Sequence, residues 1–122
     1  MTARHHPDEQ PIPEIAKAIE WAEQHLHQKF SVEDLAARAH VSRSTFQRHF
    51  HTVTGAAPLE WLTARRLDRA KYLLETTDLP IRAIARRSGF RGESLFRYHW
   101  RRLMDGTPSG WRREHSTGRR AD

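Results

Sequence analysis

The chain repeats a pattern of large apolar residues at an offset of fifty positions. In each copy, two aromatic residues four positions apart are followed, eight positions later, by a proline and then, after three more, by a tryptophan. The two copies are Phe46, Phe50, Pro58 and Trp61, and Phe96, Trp100, Pro108 and Trp111. Because agreement at four equally spaced positions is not expected by chance, the sequence predicts two similar halves.

The residues before each aromatic pair also match, but at an offset of forty-nine. Leu35-Ala36-x-x-Ala39-x-Val41 corresponds to Ile84-Ala85-x-x-Ser88-Gly89-Phe90, so the second copy contains one extra residue before its aromatic pair. Each half therefore consists of a short helix, a tight turn with small residues, and a longer helix. This is the layout of a helix-turn-helix.

Apolar residues recur at helical spacing along the chain, and no segment alternates with the period of a strand. The pattern predicts an all-α, homeodomain-like fold of seven helices. Ser31 and Ser42 are suited to cap the second and third helices. The predicted spans are 13–27, 32–38, 43–54, 59–75, a short helix from Ile81, 92–104, and a short helix from Pro108. The apolar positions of the third and sixth helices are Phe46, Phe50 and Val53, and Phe96, Trp100, Leu103 and Met104.

These helices divide the chain into two helix-turn-helix subdomains joined by a long linker helix. The predicted segments are a flexible lead-in over 1–12, a first subdomain over 13–57, the linker helix over 58–76, a second subdomain over 77–115, and a flexible tail over 116–122. At about 1.5 Å per residue, the linker is a rod of roughly 26 Å. Two units separated in this way could place their second helices in successive major grooves, about 34 Å apart on one side of B-DNA.

Positive charge is concentrated in the last two thirds of the chain. Residues 1–40 carry four basic and seven acidic side chains, whereas residues 41–122 carry seventeen basic and eight acidic ones. Eighteen of the twenty-one basic residues are arginine, whose planar fork suits phosphates and guanine edges. A sequence pI near 10.7 indicates a polyanionic partner, either nucleic acid or an acidic membrane surface. The linker helix lacks the large exposed apolar residues that a membrane-surface role needs, so no membrane partner is expected.

The outer faces of the third and sixth helices carry hydrogen-bond donors suited to DNA. The predicted base contacts are Ser44, Gln47, Arg48, Ser94, Arg97 and Tyr98. The predicted phosphate contacts are Arg43, His51, Arg91, Arg101 and Arg102. Because the two faces differ, the expected site is asymmetric duplex DNA of about two helical turns, read by a monomer.

Other classes of function find little support in the residues. The chain has no cysteine, which excludes disulfides and thiolate chemistry. Its nine histidines lack the i, i+4 pairing of a helical zinc site, so neither a metal nor a cofactor is expected. No nucleophile elbow or phosphate-cradling loop is present, and no enzymatic activity is expected. No signal peptide or membrane span is evident, and the expected location is the cytoplasm, at the nucleoid.

The chain resembles the AraC/XylS family of bacterial transcription regulators, specifically its twin helix-turn-helix domain, over about residues 14–114. The matching segments are SVEDLAARAHVSRSTFQRHFHTVTGAAP, RRLDRAKYLLETTDLPI, and the Ile84-Ala85 and Gly89-Phe90 pairs. The resemblance implies transcriptional activation through contact with RNA polymerase. Tyr98 stands where the family usually has arginine, and Leu95 beside it either touches a thymine methyl group or is simply an exposed leucine.

The resemblance also bears on how the regulator is controlled. Most family members carry an additional effector-binding or dimerisation domain, whereas a minority are short activators of this length. The expectation is a stand-alone activator with no small-molecule effector site in this chain. Two alternatives stay open: the DNA-binding domain of a longer, effector-responsive regulator, and a low-specificity architectural DNA binder.

Overall fold

The computed structural model describes residues 12–116, which form seven α-helices and no strand. The helices are α1 (Ile12–Gln24), α2 (Val32–Arg38), α3 (Arg43–Thr54), α4 (Pro58–Thr76), α5 (Ile81–Arg87), α6 (Glu93–Leu103) and α7 (Pro108–His115). The all-α prediction is confirmed, with every predicted helix present. The predicted flexible segments lie outside the described residues, apart from residues 12 and 116.

The first helix ends three residues earlier than its apolar pattern predicts. The amide of His25 bonds to the carbonyl of Ala22 at 3.1 Å, and the amide of Gln28 bonds to the carbonyl of His25 at 2.9 Å. The His25 ring nitrogen Nδ1 lies 2.7 Å from the carbonyl oxygen of Trp21, the acceptor that a continuing helix would use for the His25 amide. A side chain and tighter turns therefore end α1 at Gln24.

The chain divides into two compact units, Met1–Leu62 and Thr63–Asp122. In the first unit, α1, α2 and α3 enclose a core in which Phe46 and Phe50 are completely buried. Their rings lie 5.5 Å apart, and Trp61 packs edge-on against Phe50 at 5.4 Å. Val53 was predicted to join this face but is 46% exposed, so that prediction is wrong. It lies in the last turn of α3, beyond the residues that α1 and α2 cover.

The second unit has an equivalent core built around the second aromatic pair. Phe96 and Trp100 are buried together with apolar residues of α4 and α5. The remaining buried members are Leu67, Ala70, Leu73, Leu74, Ile84, Ala85 and Phe90. Leu103, at the end of α6, is 45% exposed, which corrects its predicted place in the core, whereas Met104 packs against the core as predicted.

Candidate nucleic-acid interface

The turn between α2 and α3 and the turn between α5 and α6 are closed by the same type of backbone hydrogen bond. The amide of Val41 bonds to the carbonyl of Ala36 at 3.1 Å, and the amide of Phe90 bonds to the carbonyl of Ala85 at 2.9 Å. Four residues separate α2 from α3 and five separate α5 from α6, so the extra residue predicted for the second turn is confirmed.

One residue in each turn takes the left-handed conformation that reverses the chain. In the second unit this residue is Gly89, with φ of 99°, and glycine adopts this region without steric cost. In the first unit it is His40, with φ of 60°, the single non-glycine residue with positive φ among residues 12–116. The first turn therefore carries a strain that the second does not.

Side-chain caps fix where α2 and α3 begin. The Ser31 hydroxyl accepts from the Asp34 amide at 3.0 Å while the Asp34 carboxylate accepts from the Ser31 amide at 2.9 Å, forming a capping box. The Ser42 hydroxyl accepts from the Thr45 amide at 3.2 Å. Both predicted caps are confirmed, and the Ser42 cap fixes where the outward face of α3 begins.

The outward face of α3 gathers the four polar residues predicted for it. Ser44, Arg48 and His51 are exposed and Gln47 is half-buried, at spacings that place them on one side of the helix. His49 faces inward instead: it is buried, and its Nε2 atom has no hydrogen-bond partner among the described residues. The surface that α3 offers to a partner is therefore polar and carries hydrogen-bond donors.

Arg43, at the start of α3, forms an ion pair with Glu33 on α2. Both side chains remain largely exposed, so water screens this pair. A backbone hydrogen bond at the helix start and the nearby Arg43 charge lower the pKa of Glu33. Arg43, predicted to contact phosphate, thus also links the two helices of the first unit.

The outward face of α6 differs from that of α3 in charge and in apolar character. Ser94, Tyr98 and Arg101 are exposed, as are Arg91 and Arg102. The Nε atom of Arg97 donates to the carboxylate of Glu93, one turn earlier, at 2.8 Å.

A second contact on α6 joins Arg102 to His99. The Nη2 atom of Arg102 lies 3.2 Å from Nδ1 of His99. Burial and the Arg102 charge lower the pKa of His99, which favours a neutral ring that accepts this hydrogen bond.

Two arginines that bind backbone carbonyls were missed by the sequence reasoning. Arg112 on α7 donates through Nε to the carbonyl of Leu74 at 3.2 Å, and through Nη2 to the carbonyls of Thr77 at 3.0 Å and Leu79 at 2.8 Å. Arg69 donates to the carbonyl of Arg87, at the end of α5, at 2.8 Å. Their acceptors lie 18 to 38 positions away in the sequence, so no local pattern identifies these contacts.

Within residues 12–116, no group of three or more histidine, aspartate or glutamate side chains is placed to hold a metal ion. None of the seven helices combines the length and apolar character needed to cross a membrane.

Comparison with known proteins supports the assignment of the two units as helix-turn-helix units. A family model described as a helix-turn-helix domain matches residues 35–114. Regulatory protein SoxS of Salmonella typhimurium is 36% identical over 98 residues, covering 80% of this chain and 92% of SoxS. The probable transcriptional regulator LumQ of Photobacterium leiognathi is 34% identical over 89 residues, covering 73% of this chain but only 36% of LumQ.

Among solved structures, the DNA-binding domain of AdpA, a global transcriptional factor crystallised in complex with a target DNA, is similar in sequence and fold. It shares 44% identity with a TM-score of 0.80, covering 83% of this chain and 91% of that domain. The C-terminal domain of AraT, a response regulator from Geobacillus stearothermophilus, shares 26% identity with a TM-score of 0.82. The chain belongs to the AraC/XylS family of helix-turn-helix, DNA-binding transcription regulators.

Proposed function

We propose that this regulator reads duplex DNA with both of its units, inserting α3 and α6 into successive major grooves of one asymmetric site. The observation that carries the proposal is that α3 and α6 each have one buried apolar face and one exposed polar face. Phe46 and Phe50 on α3, like Phe96 and Trp100 on α6, are buried, while the opposite side of each helix presents polar side chains. A recognition helix needs one face held by the core and another available to base edges.

The contacts divide by chemistry into base-reading and phosphate-binding groups. Base contacts are assigned to two pairs of exposed residues and two half-buried ones: Ser44 and Arg48, Ser94 and Tyr98, and Gln47 and Arg97. Phosphate contacts are assigned to Arg43, His51, Arg91, Arg101 and Arg102, all of which are exposed. The phosphate group sets the salt dependence of binding, and the base group sets its sequence preference.

The complex of the AdpA domain with its target DNA supports duplex DNA as the partner of this chain. The net charge of +6, concentrated in residues 41–122, supports the same partner, because a basic surface is attracted to the phosphate backbone. The proposed role is binding without catalysis, at the nucleoid in the cytoplasm.

We propose that the bound protein activates transcription by contacting RNA polymerase, with no effector site in this chain. Support comes from the family resemblance, and the test is transcription in vitro from a promoter carrying the preferred site. A higher rate of initiation by purified polymerase when the protein is added supports activation. A lower rate means that the protein represses by occupying the promoter.

Selection from a random duplex library at about 150 mM salt tests the twin-reader mechanism. The expected result is an asymmetric motif with two elements about ten base pairs apart, bound by one protein per duplex. The double variant Gln47→Ala/Arg48→Ala is the matched control, because it should lose preference in one element and keep the other. Failure to enrich any motif, with affinity that only falls as salt rises, would contradict sequence-specific reading and favour an architectural DNA binder.

A further inference from the structure

The outward surface of α6 contains an apolar stripe made of Leu95 and Tyr98. Leu95 is 43% exposed and Tyr98 is 52% exposed, and their spacing of three places them side by side on the helix. Ser94, Arg97 and Arg101 form a neighbouring polar stripe at equivalent spacings. Two exposed apolar side chains that adjoin on a recognition helix form a surface that an apolar group of a partner can cover.

The duplication identifies what the apolar stripe replaces. At the offset of fifty, Tyr98 corresponds to Arg48 of α3, and Leu95 corresponds to Thr45. The second unit therefore lacks the arginine that, at the same position in the first unit, can bond to a guanine edge. The adjacent Arg97 donates through Nε to Glu93 at 2.8 Å, a partly exposed pair that uses one of the five donors of its guanidinium.

The Tyr98 ring rests on a packed support. It meets the His99 ring edge-on, with ring centroids 5.1 Å apart and an angle of 74° between the planes. His99 in turn lies 6.0 Å from Phe90 of the core and receives the Arg102 contact at 3.2 Å. Tyr98 thus packs against a side chain that itself contacts the core.

We propose that the apolar stripe of α6 recognises the 5-methyl group of thymine, so that the second unit selects thymine where the first selects hydrogen-bonding base edges. Of the four bases, thymine alone carries a methyl group in the major groove, and apolar side chains contact that group. This inference rests on the proposed function, because it requires α6 to lie in a major groove. It makes Leu95 and Tyr98 specificity-determining residues and extends to 5-methylcytosine, which carries the same group at the same position.

The test replaces thymidine by deoxyuridine, one position at a time, in the duplex enriched by selection. This substitution removes the methyl group and keeps the base pairing. Burial of one methyl group corresponds to roughly a fourfold change in affinity, so one or two replacements should each weaken binding by about that factor. The variant Leu95→Ala/Tyr98→Ala should bind the thymidine and deoxyuridine duplexes equally well at those positions.

The control variant is Leu103→Ala, which removes another exposed leucine of α6 that lies five positions after Tyr98 and outside the stripe. It should retain the full deoxyuridine effect. Circular dichroism of each variant checks that the fold is kept. Introducing 5-methylcytosine opposite guanine at a thymine-preferring position should recover affinity relative to cytosine, in the wild-type protein alone.

The results distinguish failure of this inference from failure of the proposed function. If the protein enriches a motif but deoxyuridine has no effect at any position, methyl recognition is refuted while sequence-specific binding stands. The same conclusion follows if the deoxyuridine effect is equally large in the wild-type protein and the Leu95→Ala/Tyr98→Ala variant. If no motif is enriched, the proposed function fails and this inference fails with it.

Discussion

Arg112→Met should destabilise the protein more than Arg113→Met, the equivalent substitution of the other arginine on α7. The arginine donates three hydrogen bonds to the carbonyls of Leu74, Thr77 and Leu79, at 2.8 to 3.2 Å. Methionine retains the apolar stem but donates none of these bonds. A hydrogen bond to a charged group contributes about 1.5–3 kcal/mol when buried, but the Arg112 side chain is half-buried and water replaces part of each bond.

At about 1 kcal/mol for each bond after this correction, the expected loss is about 3 kcal/mol in the free energy of unfolding. This is a substantial share of the roughly 5–15 kcal/mol that stabilises a typical domain. Urea unfolding followed by circular dichroism measures the loss, which corresponds to a midpoint lower by roughly 1–3 M. Arg113→Met is the control, because Arg113 is the exposed neighbour on the same helix and its replacement should change stability by less than about 0.5 kcal/mol.

Equal urea midpoints for Arg112→Met and Arg113→Met would refute this reasoning. That result would mean that water satisfies the three carbonyls as well as the guanidinium does. A change in the slope of the unfolding transition, without a shift of its midpoint, would instead indicate that the two units unfold separately.

Three further predictions concern DNA reading, the turn strain and pH. Arg48→Ala should reduce the free energy of DNA binding by about 1–3 kcal/mol at one base position and relax the base preference there. Arg101→Ala should weaken binding to all sequences alike and reduce the slope of log affinity against log salt by about one. Titrations of matched and mismatched duplexes at several salt concentrations separate the two effects. His40→Gly should stabilise the protein by about 0.5–1 kcal/mol, and Gly89→Ala should destabilise it by about 1–2 kcal/mol, because the φ values at these positions are 60° and 99°. Thermal unfolding that ranks these variants in the opposite order would contradict the presence of backbone strain at His40. Burial and Arg102 lower the pKa of His99 below its ordinary 6.5, so the unfolded chain binds the proton first as pH falls and stability is lost from about pH 6.5 downward. His99→Gln should reduce this loss, measured as the difference in unfolding free energy between about pH 7.5 and about pH 5.5. An unchanged loss would exclude His99 as its source.

Local signals in the sequence were sufficient to predict the elements of the fold. Ser31 and Ser42 each accept the backbone bond expected of a helix cap, and the one-residue difference between the two turns was visible from the change of offset. Periodicity failed at helix ends. Val53 and Leu103 continue an apolar pattern into a last turn where their side chains stay nearly half exposed, because periodicity describes one helix and burial requires a second.

The site was predictable only to the level of which side of each helix faces outward. The outward residues of α3 follow from the positions of Phe46 and Phe50, since a buried residue fixes the orientation of every other residue on its helix. The Arg43–Glu33 and Arg97–Glu93 pairs were not predicted. Many acid–base pairs are compatible with the sequence, and the packing of the chain decides which of them form.

The two units are stabilised in different ways, and the difference changes how the charge of the chain should be interpreted. The helices of the first unit's helix-turn-helix begin with side-chain caps from Ser31 and Ser42, whereas Pro80 and Gly92 provide no side-chain cap for α5 and α6. The second unit has one side-chain cap, from Thr107 on α7, and arginine-to-carbonyl contacts from Arg69 and from Arg112. These two guanidiniums donate to backbone carbonyls of their own unit. Part of the positive charge of residues 41–122 therefore stabilises the fold, and the arginines that remain exposed on α3, on α6 and in the turn before α6 are the ones available for the proposed attraction to DNA.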